Sequence, residues 1–252
     1  MKVICIKHPT WRGSDQKLYL EKVNTALQMN PDVLIGPDYS LCSFEGVDKI
    51  DFNSIESSMA DLAKLSQEHS STLILPGTAV VSREKGFAGL CSFAFLGGKE
   101  IGRFFKQSDR GERKLLRANG LEYSPGRRED NHFVYDGKRI DVEICSDSSY
   151  PKISSETFME VIQAQEFVPS PLNYRPKDIP RTHFYPRSGL NDSHRHYVFI
   201  SDGGLGVSVQ GILFDPKSKI NRGCTDLEGV KFDRKGLKGS MTQYDIGNSN
   251  EK

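Results

Sequence analysis

Short apolar runs alternate with longer amphipathic segments in the first third of the chain. Residues 3–6, 31–38 (PDVLIGPD) and 72–81 (TLILPGTAVV) are apolar runs of the length typical of buried strands. Between them, residues 15–30 and 51–68 carry apolar side chains at helical spacing. This strand–helix–strand–helix–strand order predicts neighbouring strands in a layered α/β sheet.

The pattern changes in the middle of the chain, where glycines interrupt the apolar runs. Residues 89–105 are predicted to form two strands joined at a Gly-Gly pair, and residues 132–145 two strands joined at an Asp-Gly pair, because both dipeptides are typical of hairpin turns. We predict a helix over 156–166 and late strands over 197–201 and 207–216. Hairpins added to parallel strands indicate a mixed sheet.

Composition narrows the class of protein. The 252 residues are 37% hydrophobic and 27% charged, as in an ordinary globular protein, and the length suits one large domain or two small ones. Because 34 Lys and Arg residues balance 33 Asp and Glu residues, the net charge of +1 gives no reason to expect nucleic acid or an anionic membrane as a partner. The basic segment 110–117 (RGERKLLR) is interpreted as a solvated face, with a local basic patch as the alternative.

Apolar runs and cysteines also bear on where the protein works. No run approaches the roughly 18 apolar residues of a membrane span, and residues 1–11 are predicted to contain a β-strand rather than a signal peptide. The five cysteines are an odd number without CxxC spacing, which argues against a disulfide framework or a zinc ribbon. We therefore expect a cytoplasmic protein with reduced thiols.

Three side chains with reactive chemistry come directly after predicted strands. Asp38 follows VLIGP, Lys106 follows IGRFF and Cys145 follows RIDVEI. Because the chemistry of such sheets tends to gather at the carboxyl ends of the strands, we expect the three side chains to lie together. Each also has an ordinary alternative: Cys145 as a buried structural cysteine, Lys106 as a surface lysine and Asp38 as a turn residue.

Four segments, in this order along the chain, resemble the carbon–nitrogen hydrolase family, also called the nitrilase superfamily. They are PDVLIGPD (31–38), GRFFK (102–106), YSPG (123–126) and VEICSDSSYP (142–151), and GVSVQGILFDP (206–216) resembles a late strand of that family. The resemblance implies a single domain over residues 1–252, of α/β class, folded as a four-layer α-β-β-α sandwich of two mixed sheets. It also implies a homodimer or higher homo-oligomer.

The resemblance implies a role for each residue at the strand ends. Asp38 would be the general base, Lys106 the cation beside the developing oxyanion, and Cys145 the nucleophile. Glu122 would hold Lys106 or position the attacking water, and Asn119 is a rival match for this second glutamate.

Three further residues are expected to contact the substrate. The backbone N–H of Ser146 would be the second donor to the oxyanion, and Asn173 and Tyr174 follow a predicted strand at a position where family members contact substrate. The chain also departs from the family pattern. Asp38 replaces the usual glutamate and is one methylene shorter, and the segment 190–197 (LNDSHRHY) barely matches.

The resemblance implies cysteine-dependent hydrolysis of a non-peptide carbon–nitrogen bond through a thioester, without a cofactor. A small amide is favoured over a nitrile or a carbamoyl compound, and acyl transfer to an amine is a near variant of the same chemistry. The alternative is a catalytically impaired relative that binds a small ligand or a partner in the pocket, which both departures from the pattern favour.

The histidines raise a third possibility, an unrelated metal enzyme. His194 and His196 would share a face of a strand, and His183 or Asp192 could join them as ligands. No further ligand spacing supports a metal site, so we interpret the HRH segment as solvated or partner-facing and predict no metal.

Overall fold

Two mixed β-sheets lie at the centre of the fold, which we describe from a computed structural model. The described residues are 1–6, 8, 16–45, 49–109, 111–149, 156–164, 196–202, 212–214, 232–237 and 241–246. In chain order their helices and strands are β1 (Lys2–Ile6), α1 (Gln16–Leu27), β2 (Val33–Ile35), β3 (Phe44–Glu45), β4 (Lys49–Ile50), α2 (Phe52–Glu68), β5 (Leu73–Leu75), β6 (Thr78–Glu84), β7 (Phe87–Leu96), β8 (Lys99–Phe105), α3 (Glu112–Ala118), β9 (Glu122–Tyr123), β10 (His132–Tyr135), β11 (Lys138–Ile144), β12 (Thr157–Ala164), β13 (His196–Asp202), β14 (Ile212–Phe214), β15 (Phe232–Leu237) and β16 (Met241–Ile246).

The larger sheet has the strand order β15-β16-β1-β2-β5-β7-β6, and β8 and β9 also pair with β7. Strands β1, β2 and β5 run parallel, with Val33 opposite both Val3 and Leu73. Strands β16 and β7 join them antiparallel. The predicted β-α-β-α-β opening and the hairpin over 89–105 are therefore confirmed.

The smaller sheet has the strand order β10-β11-β12-β13-β14. Its three central strands are parallel, and the hairpin partner β10 and the late strand β14 are antiparallel to their neighbours. This sheet contains the hairpin predicted over 132–145 and the strand predicted over 197–201. It supplies the second mixed sheet of the expected fold.

The helix predicted over 156–166 is wrong, because this segment contains the central strand β12. Met159 and Val161 face the larger sheet, and the opposite face carries Glu160 and Ile162, which are also buried. A strand that is buried on both faces has no simple alternation of apolar and polar residues, so its pattern can be taken for that of a helix.

The two sheets pack face to face through an apolar layer that we call the inter-sheet core. It is built from Val3, Cys5, Val33, Ile35, Leu73, Leu75, Ala94 and Phe104 of the larger sheet and Ile140, Val142, Met159, Val161 and Phe199 of the smaller one. The other face of the larger sheet packs against α1 and α2. Helices therefore cover the outer face of the larger sheet among the described residues, and the expected α/β sandwich is confirmed.

Helix α2 shows why the sequence folds locally as it does. Ile55 and Leu62 face the sheet from the same side of the helix, as the helical spacing predicts. Its first turn is capped by Asp51, whose carboxylate accepts a hydrogen bond from the backbone N–H of Ser54 at 3.2 Å. None of the helices in the described ranges is long and apolar enough to cross a bilayer.

The run predicted as a single strand over 72–81 is two strands, β5 and β6, separated at Pro76-Gly77. Gly77 has a φ of +107°, and a Cβ there would lie 2.2 Å from the carbonyl oxygen of Pro37. Only glycine fits this close contact between two chain turns. The contact fixes the turn that leads into Asp38.

Candidate active site

Four ionisable side chains gather where strands of both sheets end, and we call them the Lys106 cluster: Asp38, Lys106, Glu112 and Cys145. Asp38 follows β2, Lys106 follows β8 and Cys145 follows β11. Asp38, Lys106 and Glu112 are 0%, 1% and 4% exposed, respectively. Cys145 is half-buried. The charges of the other three all act on Lys106, so the structure brings together the three residues that the strand ends predicted.

Lys106 is the centre of the cluster, and its backbone is held firmly. Its N–H donates to the carbonyl of Leu90 at 2.8 Å, and its carbonyl accepts from the Tyr123 hydroxyl at 3.0 Å and the Gly126 N–H at 2.9 Å. A Cβ on Gly126 would lie 2.1 Å from the carbonyl oxygen of Phe105, so the Pro-Gly turn packs directly on the lysine strand.

The ammonium of Lys106 stays charged despite its burial. Burial alone would lower the pKa of Lys106, but electrostatic interactions with the acidic groups of Asp38, Cys145 and Glu112 outweigh it and raise the pKa above its ordinary value. The ammonium forms a buried ion pair with Oε1 of Glu112. A fixed cation is therefore available to stabilise a thiolate or an oxyanion.

Asp38 uses its two carboxylate oxygens differently. Oδ1 accepts from the backbone N–H of Tyr39 at 3.0 Å and from the hydroxyl of Thr78, whereas Oδ2 has no hydrogen-bond partner among the described residues. Burial raises the pKa of Asp38 to about 7, although the Lys106 charge and the Thr78 hydrogen bond oppose the rise. The carboxyl can therefore take up and release a proton near neutral pH.

The prediction that Glu122 holds Lys106 is wrong, because that contact belongs to Glu112. Glu122 lies on β9 with its side chain 58% exposed, 3.8 Å from the guanidinium of Arg117. Glu112 also accepts a hydrogen bond from the Tyr39 hydroxyl at 3.3 Å. Asn119, the rival match, caps the end of α3 and donates its side-chain amide to the carbonyl of Leu115 at 2.8 Å.

A signal for Glu112 was present in the sequence. Glu112, Leu115 and Leu116 are the buried residues of α3, and their spacing places all three on one face of the helix. An acidic residue that shares a helical face with two leucines, in an otherwise basic segment, indicates a buried carboxylate that needs a cation.

The outer face of α3 carries most of the basic residues of the segment 110–117. Arg113 is ion-paired with Asp109 at 3.3 Å, and its side chain is 56% exposed. An open groove of about 400 Å³ runs along this face, lined by Asp109, Gly111, Arg113, Lys114 and Arg117. The exposed basic side chains agree with the solvated face expected for 110–117.

Cys145 occupies a strained turn. It begins a 3-10 turn over Cys145–Ser149, immediately after β11, and has a φ of +50°. Non-glycine residues rarely adopt this conformation, which Cys145 shares with Asn30, Tyr39 and Asp136 among the described residues. Among the described cysteines, Cys5, Cys42 and Cys91 are buried and Cys145 is partly exposed, so the structural-cysteine alternative fits the other three better.

Ser146 and Asp147 follow in the same turn. The Ser146 and Ser108 hydroxyls are hydrogen-bonded to each other, which joins the turn to the segment after Lys106. Asp147 is buried and accepts hydrogen bonds from Gln107 and Ser108. The role of the Ser146 N–H as an oxyanion donor stays a prediction.

The remaining residues that the sequence proposed for a site lie mostly outside the described residues. Asn173 and Tyr174 are outside the described residues, as are His183, Asp192 and His194, while His196 begins β13. Within the described ranges, no three side chains of the metal-binding types are grouped so that they could hold an ion.

The sandwich described above is the fold of the nitrilase superfamily, so the chain has the fold that the sequence resemblance implies. Among solved structures it is similar to an amidase from Nesterenkonia sp., with 13% identity, a TM-score of 0.64, and coverage of 97% of this chain and 89% of that one. No family model and no curated protein matches the sequence.

Two other structures of the Nesterenkonia sp. AN1 amidase are equally similar. In one mutant, acrylamide has been added to the active site cysteine; identity is 12%, the TM-score is 0.64, and the alignment covers 98% of this chain and 93% of that one. In another mutant the amidase is in complex with butyramide, at 12% identity and a TM-score of 0.64, covering 97% and 90% of the two chains.

Proposed function

We propose that the protein hydrolyses a non-peptide carbon–nitrogen bond, with Cys145 as nucleophile and a small amide as substrate. The observation that carries the proposal is the Lys106 cluster: a partly exposed cysteine on a strained turn, beside a buried ammonium that two buried carboxylates flank. The similarity to amidases with an active site cysteine supports the choice of an amide.

In the first half of the reaction, Oδ2 of Asp38 accepts the thiol proton and the Lys106 ammonium stabilises the thiolate. The sulfur attacks the amide carbonyl carbon, and the oxyanion of the tetrahedral adduct is stabilised by Lys106 and the N–H of Ser146. The C–N bond then breaks, Asp38 returns the proton to the nitrogen, and ammonia leaves a thioester on Cys145.

In the second half, water attacks the thioester carbonyl and gives up a proton to Asp38. The C–S bond breaks, the carboxylic acid leaves and Cys145 regains its proton. Glu112 holds the Lys106 ammonium throughout by its buried ion pair. Because Glu112 engages the lysine, Oδ2 of Asp38 is left to exchange protons with the substrate.

The short side chain of Asp38 supports a second candidate function, a catalytically impaired protein that binds a small ligand in the same pocket. Losing one methylene retracts a carboxylate by about 1.5 Å, one C–C bond length. Misplacing a catalytic group by about 1 Å can cost about a hundredfold in rate.

Ammonia release distinguishes the two candidates. The wild-type protein is incubated with acetamide, propionamide and butyramide, with the matching nitriles, and with carbamoyl compounds. We expect release from at least one amide, lost in Cys145→Ala and in Lys106→Ala. Release that persists in Cys145→Ala would contradict the proposal. Amide binding by calorimetry without any ammonia would favour the impaired binder.

A further inference from the structure

The buried carboxylate of Asp147 makes three of the hydrogen bonds that join the turn of Cys145 to the segment after Lys106, and the Ser146–Ser108 hydroxyl pair makes another. Oδ2 accepts the Gln107 N–H at 2.9 Å, and Oδ1 accepts the Ser108 N–H at 2.8 Å and the Ser108 hydroxyl at 2.6 Å. Asp147 is 4% exposed. Three hydrogen bonds to one ionised carboxylate are strong contacts when the group is buried from solvent.

The segment to which Asp147 is hydrogen-bonded, residues 107 and 108, is held in place by other hydrogen bonds as well. The Tyr123 hydroxyl lies 3.0 Å from the carbonyl of Lys106 and 3.2 Å from that of Ser108, and the Gly126 N–H donates to Lys106 at 2.9 Å. The lysine backbone is therefore a rigid reference. Asp147 connects this segment to the cysteine turn through two backbone N–H groups and one hydroxyl.

The backbone of Cys145 needs such a support. A non-glycine residue at a φ of +50° is strained, and a strained conformation persists only where the surrounding contacts hold it. The turn Cys145–Ser149 has both its second and third residues bonded to the lysine segment, through Ser146 and Asp147.

We propose that Asp147 is a positioning residue, which sets the place of the Cys145 sulfur relative to the Lys106 ammonium. The inference rests on the proposed function, since it assumes that Cys145 is the nucleophile. Asp147 touches neither reacting group in this role. It acts through the backbone of its own turn and the N–H groups that follow Lys106.

The chemistry of the contacts explains why a carboxylate stands at this position. Two backbone N–H groups and a hydroxyl all donate to it, and an ionised carboxylate offers only acceptors. An asparagine has the same shape but presents an NH₂ group to one of the two N–H donors. The variant Asp147→Asn therefore breaks one backbone contact and leaves two donors facing each other.

Asp141→Asn is the matched control. Asp141 is also a buried aspartate, 3% exposed, and lies on the strand β11 that leads into Cys145. Its hydrogen bonds run to Arg139 and Thr157 rather than to the lysine segment. Both variants remove one buried charge, and only Asp147→Asn loosens the link between the two reacting groups.

The experiment measures the rate of Cys145 alkylation by iodoacetamide between pH 5.5 and 9.5, resolved by peptide mass spectrometry, with thermal unfolding recorded for each variant. A nearby cation lowers a thiol pKa below its ordinary value of about 8.5. We expect Asp147→Asn to shift the alkylation profile to higher pH, to slow labelling at pH 7 by about tenfold, and to lower kcat far more than it changes KM. Asp141→Asn should stay within about twofold of wild type at temperatures where it is folded.

Coincident profiles of Asp147→Asn and wild type would overturn the inference and leave the proposed function intact. Equal slowing in the two variants would overturn it too, because it would indicate general loosening. If Asp147→Asn does not fold, the alkylation profile of Ser108→Ala is measured instead, because this variant removes only the hydroxyl contacts. A shift of the profile to higher pH, smaller than that expected for Asp147→Asn, would support the inference. An unshifted profile would overturn it. If the alkylation profile of Lys106→Ala coincided with that of the wild type, the proposed function would be refuted, and this inference with it.

Discussion

The inter-sheet core and the three charged residues of the Lys106 cluster are both buried but chemically opposite. In the core, apolar side chains of β1, β2 and β5 meet those of β11 and β12, and burying them stabilises the fold by roughly 25 cal/mol per Å². In the cluster, Asp38 follows β2, Lys106 follows β8 and Glu112 lies on α3, and all three are buried as charged or titratable groups. Burying charges costs free energy that their pairing only partly returns.

The inter-sheet core stabilises the fold, and the Lys106 cluster is the region to which we assign the proposed chemistry. The raised pKa of Asp38 is a direct sign of that cost, since burial makes the ionised form harder to keep. A protein that needed only stability would fill this space with apolar side chains. Changes in the core should therefore alter stability, and changes in the cluster should alter turnover.

The largest effect is expected from Asp38. Replacing it with alanine removes the proton acceptor, and we expect turnover of the best amide to fall by about 10²- to 10⁴-fold. Asp38→Glu keeps a carboxylate on a side chain that is one methylene longer, and it should retain part of the activity. The comparison is made on kcat for ammonia release. Equal rates for wild type and both variants would show that Asp38 is not the base.

The matching change in the core is Leu73→Ala. Leu73 is fully buried at the start of β5, at the opposite end of the strand from the cluster. Its loss should lower the free energy of unfolding by about 2–5 kcal/mol, measured in urea, because the site leaves a cavity. Turnover per folded molecule should be unchanged. A fall in kcat with unchanged stability would break the division between the two regions.

The smallest effect is on how stability depends on pH. The folded pKa of Asp38, about 7, lies above its ordinary value of 3.8, so the stability that this group contributes is full below pH 4 and lost as the pH rises through 7. Between pH 5.5 and 8, Asp38 should lower the free energy of unfolding by at most about 2 kcal/mol. In Asp38→Asn this loss should be absent, so the free energy of unfolding, measured in urea, should depend less on pH. An unchanged slope would contradict the raised pKa.

Much of the fold could be predicted from the sequence because its elements have local signals. The hairpins over 89–105 and 132–145 carry their own turn dipeptides, and the first strands and helices show clear periodicity. The segment 156–166 failed for a physical reason. Strand β12 is buried on both faces, and the larger sheet that packs on one of them is built from residues far away in the sequence.

The candidate site divides in the same way. Asp38, Lys106 and Cys145 could be predicted because each lies within three residues of the end of a strand, and strand ends meet at one edge of a sandwich. Glu112 was missed because the basic segment around it was interpreted as a solvated face, although its spacing to Leu115 and Leu116 indicated a buried side of α3. Glu122 matched a motif by position, but β9 leaves its side chain in solvent.

The central claim is that the Lys106 cluster makes Cys145 a nucleophile that forms a thioester. The most direct test mixes the protein with an excess of each small amide, quenches in acid within milliseconds to seconds, and measures the intact mass. The account predicts an added acyl group on Cys145, absent in Cys145→Ala and strongly reduced in Lys106→Ala. Ammonia release without any acyl adduct on Cys145, or an adduct on another residue, would contradict it.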